Sequence, residues 1–132
     1  MLRRKRLPPT LAPRFDAFLV VVERVERAKQ SLTEAMPTTR LPGRPLPDAL
    51  SEFEELLRRA RSGMDGWRDE AVQDAWDRAR QGLDAAIRVA ETLRLEAPRL
   101  GGFEGLIGAI GDLIAPLEAF QGAAERFRAL RV

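Results

Sequence analysis

The sequence predicts an all-α protein, a helical bundle of three long helices and one shorter helix with a proline-rich crossover connector. Apolar residues recur at intervals of three and four along most of the 132 residues, and no segment alternates apolar and polar residues as a β-strand does. Proline and glycine cluster between these amphipathic stretches. With 45% apolar and 32% charged residues, the composition fits one globular domain, predicted at residues 11–132 after a basic arm at 1–10.

The first helix is predicted over residues 11–36. Thr10 is a good helix N-cap, and Pro13 is tolerated in a first turn. One basic residue, Lys29, interrupts the apolar stripe, and we expect its ammonium group to reach water from the end of the bundle. The whole stripe comprises Phe15, Phe18, Val22, Val25, Lys29, Leu32 and Met36.

A stiff connector is predicted at residues 37–47, which contain four prolines and one glycine. Eleven residues in an extended conformation span about 34 Å, close to the length of the first helix. The connector is therefore long enough to run back along that helix and to start the second helix parallel to it.

The second and third helices are predicted at residues 48–62 and 66–97. Asp48 is a suitable N-cap, and Gly63 suits the turn that follows the second helix. The apolar spacing nevertheless continues across this turn, so one kinked helix is the alternative. Acid-to-arginine pairs four residues apart also support helices: Glu23–Arg27, Glu54–Arg58, Glu55–Arg59, Asp74–Arg78 and Asp84–Arg88.

The last helix, predicted over residues 103–131, is kinked at Pro116 because proline lacks the amide that would bond the Asp112 carbonyl. Glycine recurs every third residue in its first half, and each costs about 1 kcal/mol relative to alanine inside a helix. Close approach of another helix, in the bundle or in a second copy, would offset this cost. The candidate interface comprises Gly105, Gly108, Ala115, Ala119 and Gly122, together with Trp67 near the preceding turn.

The composition argues against an enzyme. Histidine, cysteine, tyrosine and asparagine are absent, so no imidazole or thiolate is available for proton transfer, nucleophilic attack or zinc binding. We predict no catalytic residues, no cofactor and no metal. One face of the third helix carries Glu70, Asp74, Asp77 and Asp84, a spacing that could present carboxylates to Mg²⁺ or Mn²⁺. Because this face lies opposite the apolar stripe, we interpret it as a solvated surface.

The basic charge of the chain is concentrated in the arm, at Arg3, Arg4, Lys5 and Arg6. Removing these four leaves 18 of the 22 basic residues against 20 acids, a net charge of −2 for the remainder. The arm could contact the phosphates of nucleic acid or anionic lipid, although a solubilising terminus is the simpler interpretation. No uncharged run is long enough for a transmembrane helix, and we expect a cytoplasmic protein.

The predicted function is that of a non-enzymatic structural or adaptor protein, assembling with itself or with another helical protein. Two alternatives remain. The arm and the glycine-rich last helix could associate peripherally with a membrane surface, which vesicle co-flotation would detect. The arm alone could make the chain an accessory nucleic-acid binder, which salt-dependent binding to oligonucleotides would detect.

Overall fold

The computed structural model describes residues 8–34, 46–96 and 102–130, and all side chains in these ranges except those of residues 46 and 102–107. These ranges contain helices and no strand, which confirms the all-α bundle. The helices are α1 (Ala12–Glu34), α2 (Leu46–Ser62), α3 (Gln73–Glu96), α4 (Gly102–Ile114) and α5 (Ala119–Ala129). The basic arm up to residue 7 and most of the predicted connector lie outside the described residues.

The predicted last helix is two helices, because Pro116 divides it. Residues Ala115–Glu118 form a 3₁₀ turn between α4 and α5, with the proline near its start. Proline fits the first turn of a new helix because its missing amide would have no partner there. The same rule applies to α2, which holds Pro47 in its first turn. This helix begins at Leu46, two residues before its predicted start at residue 48.

The second and third helices are separate, so the kinked single helix is wrong. Two 3₁₀ turns, Met64–Trp67 and Glu70–Val72, join them, and α3 begins at Gln73 rather than at residue 66. The break comes from extended backbone at Arg68 and Asp69. The Asp69 carboxylate accepts a hydrogen bond from the Ala71 amide at 3.0 Å, which caps the second turn.

Neighbouring helices of the bundle run antiparallel. Arg24 of α1 donates a hydrogen bond to the Arg59 carbonyl near the end of α2, whereas Arg14, earlier in α1, donates to the Gly66 carbonyl just beyond α2. The parallel arrangement that the length of the connector would have allowed is therefore not the one observed. The reach of the connector permitted that arrangement, but the contacts between α1 and α2 select the opposite direction.

An aromatic cluster joins α1, the first 3₁₀ turn and α5. The Phe18 ring lies 4.8 Å from the Trp67 ring and 5.2 Å from the Phe127 ring, and all three side chains are fully buried. Phe15 packs on Phe127 at 5.3 Å, which places the start of α1 beside the end of α5. With α2 and α3 also antiparallel, α1, α2, α3 and α5 form an up-down-up-down bundle.

The buried stripe of α1 differs from the predicted one in its middle. Val21 and Ala28 are fully buried, while Val22 and Lys29 are only partly buried. The helix is rotated toward the C-terminal end of α2, and Val21 lies against Gly63, the residue that follows α2. Lys29 consequently stands at the edge of the bundle and pairs with Glu26 at 3.1 Å.

A largely buried carboxylate ties α2 to α3. Glu54 is only 11% exposed and accepts hydrogen bonds from Arg58 at 2.9 Å and from Arg94 of α3 at 3.0 Å. The Glu54–Arg58 and Glu55–Arg59 pairs confirm two of the five predicted helical pairs. Asp84 pairs instead with Arg80 and, across the bundle, with Arg61 at 2.9 Å.

We expect Glu54→Gln to lower the free energy of unfolding by about 1–2 kcal/mol. Losing the charge weakens two charge-assisted hydrogen bonds, but both arginines are partly exposed and keep their hydration. Glu55→Gln is the matched control, because Glu55 pairs with Arg59 at an exposed position and should cost no more than about 0.5 kcal/mol. Urea unfolding followed by circular dichroism measures both. Equal effects for the two variants would contradict the structural role of Glu54.

Gly82 of α3 lies directly against the backbone of the turn between α4 and α5. A Cβ atom placed on Gly82 would overlap the carbonyl oxygen of Pro116 and would lie 3.2 Å from its carbonyl carbon. No rotamer change can relieve an overlap with backbone atoms. Glycine at residue 82 therefore permits a helix contact that any other residue would push apart.

We predict that Gly82→Ala lowers the free energy of unfolding by at least about 2 kcal/mol, despite the better helix propensity of alanine. Gly111→Ala is the control. The space around Gly111 is open, so this change should raise stability by up to about 1 kcal/mol through helix propensity alone. Chemical unfolding of the two variants beside the parent protein tests this, and a Gly82→Ala protein as stable as the parent would contradict it.

Candidate interaction surface

The predicted strip of small residues is partly exposed and divides at Pro116. Gly108 and Ala115 are exposed on α4 and at its end, and Gly122 is exposed on α5. Ala119 is half-buried. Gly105 lies within α4, in the part of this helix (residues 102–107) for which the structure describes only the backbone. Gly111, which was not part of the predicted interface, joins the exposed face because it is three residues from Gly108 and four from Ala115.

Nothing in the described chain packs against the glycines of this strip. Apart from each glycine's own helical turn, no heavy atom of the described residues lies within 4 Å of the position that a Cβ would occupy at Gly108, Gly111 or Gly122. The close helix contact expected within the bundle is thus not made at these residues, and the bundle makes its close contact at Gly82 instead. A close contact between this strip and a helix of a second protein molecule stays a prediction.

The part of the strip that follows Pro116 lines a groove between α3 and α5. Ala119, Gly122 and Ala123 contribute to a groove of about 400 Å³, together with Ala71 and Ala75 on the other side. Its charged lining residues are Glu70, Asp74, Arg78 and Arg126, all exposed. Within the described ranges these four form no ion pair with one another, so the predicted Asp74–Arg78 pair is not made.

Trp67 is corrected from a candidate interface residue to a core residue. Its side chain has no exposed surface and packs between Phe18 and Phe127. Its indole N–H points at the Met64 sulfur at 3.3 Å, so its polar atom is also satisfied inside the protein. The prediction failed because a turn between helices is usually at the surface, whereas this turn folds inward across the end of the bundle.

The acidic residues of the predicted third helix, of which Glu70 lies in the 3₁₀ turn before α3, are spread over different neighbours. Asp77 accepts a hydrogen bond from Gln73 at 3.2 Å, and Asp84 pairs with Arg61 and Arg80. Glu70 and Asp74 face the α3–α5 groove. Among the residues that the structure describes, no three Asp or Glu side chains are grouped so that they could hold a metal ion.

We therefore expect EDTA to leave the thermal midpoint of unfolding unchanged, because a metal bound only to the folded state would raise it by mass action. Differential scanning calorimetry with and without EDTA, followed by addition of Mg²⁺ or Mn²⁺, is the measurement. A midpoint that falls by several degrees and is restored by either metal would show that the acidic face binds a cation.

The membrane and nucleic-acid alternatives depend chiefly on residues outside the described ranges. Arg3, Arg4, Lys5 and Arg6 belong to these residues. Among the helices described, none is both long and apolar enough to cross a bilayer. Comparisons with protein-family models, with curated proteins and with solved structures find no match to this chain.

Proposed function

We propose that this protein is a non-enzymatic helical-bundle adaptor that assembles with a second copy of itself through the exposed face of α4 and α5. This smooth face is defined by Gly108, Gly111, Ala115 and Gly122. The observation that carries the proposal is the open space at all three glycines. Each glycine weakens its helix by about 1 kcal/mol relative to alanine, and no neighbour within the described chain requires it.

Close packing of a helix from a second copy would explain why glycine occupies these positions. Side chains normally hold packed helices 8–10 Å apart, and small residues allow their backbones to come closer. α4 is also unusually apolar for a helix with an exposed side, since Glu104 and Asp112 are the two charged residues in its sequence. A helix with this composition is expected to be covered by a partner.

Asp112 constrains how two copies can meet, because it is exposed on the same side of α4 as the smooth face. In a symmetric dimer, residues at the two-fold axis approach their own copies. Crossing at Gly108 would place each Asp112 one helical turn from the axis, so that the carboxylates lie about 12 Å apart along antiparallel helices. At physiological salt this exceeds the screening length of about 8 Å, and the repulsion is small. Gly108 is therefore the favoured crossing point.

We predict that Gly108→Leu separates assembly from folding. Leucine is the better helix former and has open space around it, so the unfolding free energy of the monomer should stay the same or rise by up to about 1 kcal/mol. At the crossing point the same side chain would hold the two backbones apart and should weaken self-association at least tenfold. Sedimentation equilibrium measures association, and urea unfolding at low protein concentration measures folding.

Gln81→Leu is the matched control, since it adds the same apolar side chain at an exposed position of α3. It should leave self-association unchanged. A parent protein that stays monomeric at about 100 µM, or a Gly108→Leu variant that assembles as well as the parent, would refute the proposal. Vesicle binding strengthened by Gly108→Leu but not by Gln81→Leu would favour the membrane alternative, because added apolar area deepens interfacial insertion.

A further inference from the structure

A second surface lies between α1 and α5 and is lined mainly by apolar side chains. Phe18, Leu117 and Phe120 form its floor, and none of them is more than 5% exposed. Half-buried apolar side chains, Phe15, Val22 and Ala124, form its walls. Leu19, which is 47% exposed, stands at its mouth. We call this feature the α1–α5 groove.

The groove has the size of one small apolar group. Its volume is about 160 Å³. An engineered protein cavity of about 150 Å³ with an apolar lining binds benzene, so a single ring or a branched chain of similar size fits here. The space is too small for a drug-sized ligand, whose sites usually occupy about 300–1,000 Å³.

The polar residues at the edge of the groove favour an anion. Glu26 and Lys29 form an ion pair at 3.1 Å, so their opposite charges largely cancel. Arg128 is exposed, has no ion-pair partner in the described part of the chain, and leaves one uncompensated positive charge. Gln121, also at the edge, carries an amide that can donate further hydrogen bonds. A guanidinium group binds carboxylates in a bidentate arrangement, which suits Arg128 to such a ligand.

We propose that the α1–α5 groove binds a small apolar carboxylate, with the apolar group against Phe18 and Phe120 and the carboxylate at Arg128. The apolar group is about the size of one benzene ring. The site uses different residues from the smooth face and does not depend on self-association.

The probe is 3-phenylpropionate, titrated into protein with ¹³C-labelled methyl groups, and its matched opposite is 3-phenylpropylamine. We expect shifts centred on the methyl groups of Leu19, Val22, Leu117 and Ala124. For a ligand of about eleven non-hydrogen atoms, the dissociation constant should be in the millimolar range. The amine should bind at least fivefold more weakly, because its charge meets Arg128.

Three variants assign the binding to the groove. Arg128→Glu should reverse the preference between the two probes. Arg126→Glu makes the same charge change on the same helix, but Arg126 lines the α3–α5 groove and should leave the preference unchanged. Ala124→Leu should fill the groove and weaken both probes at least fivefold.

The proposal is overturned if neither probe binds below about 50 mM, or if the methyl shifts lie away from the groove. It is equally overturned if the amine binds as tightly as the carboxylate in the parent protein. Unchanged binding in folded Ala124→Leu protein, with its methyl spectrum confirming the native fold, would also overturn it.

Discussion

The contact between Gly82 and Pro116 is the constraint on which the second half of the bundle depends. Pro116 divides the last segment into α4 and α5, and its carbonyl occupies the space that a side chain at residue 82 would need. This contact holds α3 against the turn and sets the start of α5. From there α5 runs beside α1 and carries Phe120 and Phe127 to Phe18, within 6.3 and 5.2 Å between ring centroids. The position of the turn at Pro116 therefore determines where Phe120 and Phe127 meet Phe18 in the core.

Polar contacts fix the relative positions of the other helices. Three ion pairs join α2 to α3 in the described ranges: Arg94 with Glu54, Arg61 with Asp84 and, at 3.8 Å, Arg58 with Glu91. The hydrophobic effect has no directional requirement, so the burial of leucine and alanine by itself distinguishes only weakly between registers one turn apart. A helix that slid by one turn would break these pairs and would leave the largely buried Glu54 without its partner on α3. The apolar core thus provides most of the stability, and these pairs help to select one register.

The sequence predicted the helices well because helical periodicity is a local property. It predicted a disturbance of the last helix at Pro116 for the same reason, since the missing amide is a property of one residue, although it predicted a kink where the structure has two helices. Three features could not be predicted in this way. The direction of α2 depends on contacts with α1, the rotation of α1 that buries Val21 and Ala28 depends on where Gly63 lies, and the role of Gly82 depends on a backbone 34 residues later in the chain. For the candidate interface, the sequence identified two glycines that are exposed, Gly108 and Gly122, but it left out Gly111 and placed Trp67 wrongly. A tryptophan beside a turn has the same local pattern whether the turn faces water or folds inward.

The two proposed surfaces share α5 but are built differently. Gly122 belongs to the smooth face, whereas Phe120, Ala124 and Arg128 line the α1–α5 groove. Gly122 and these side chains lie on different sides of one short helix, and the groove floor is buried, so a partner on α4 is not expected to contact it. A movement of α5 about Pro116 is one route by which one surface could influence the other. The Gly82 contact resists such a movement, because Pro116 cannot shift toward α3 without overlap of backbone atoms. Binding at the two surfaces is accordingly expected to be independent, and coupling between them would indicate that the turn at Pro116 is less rigid than its packing implies.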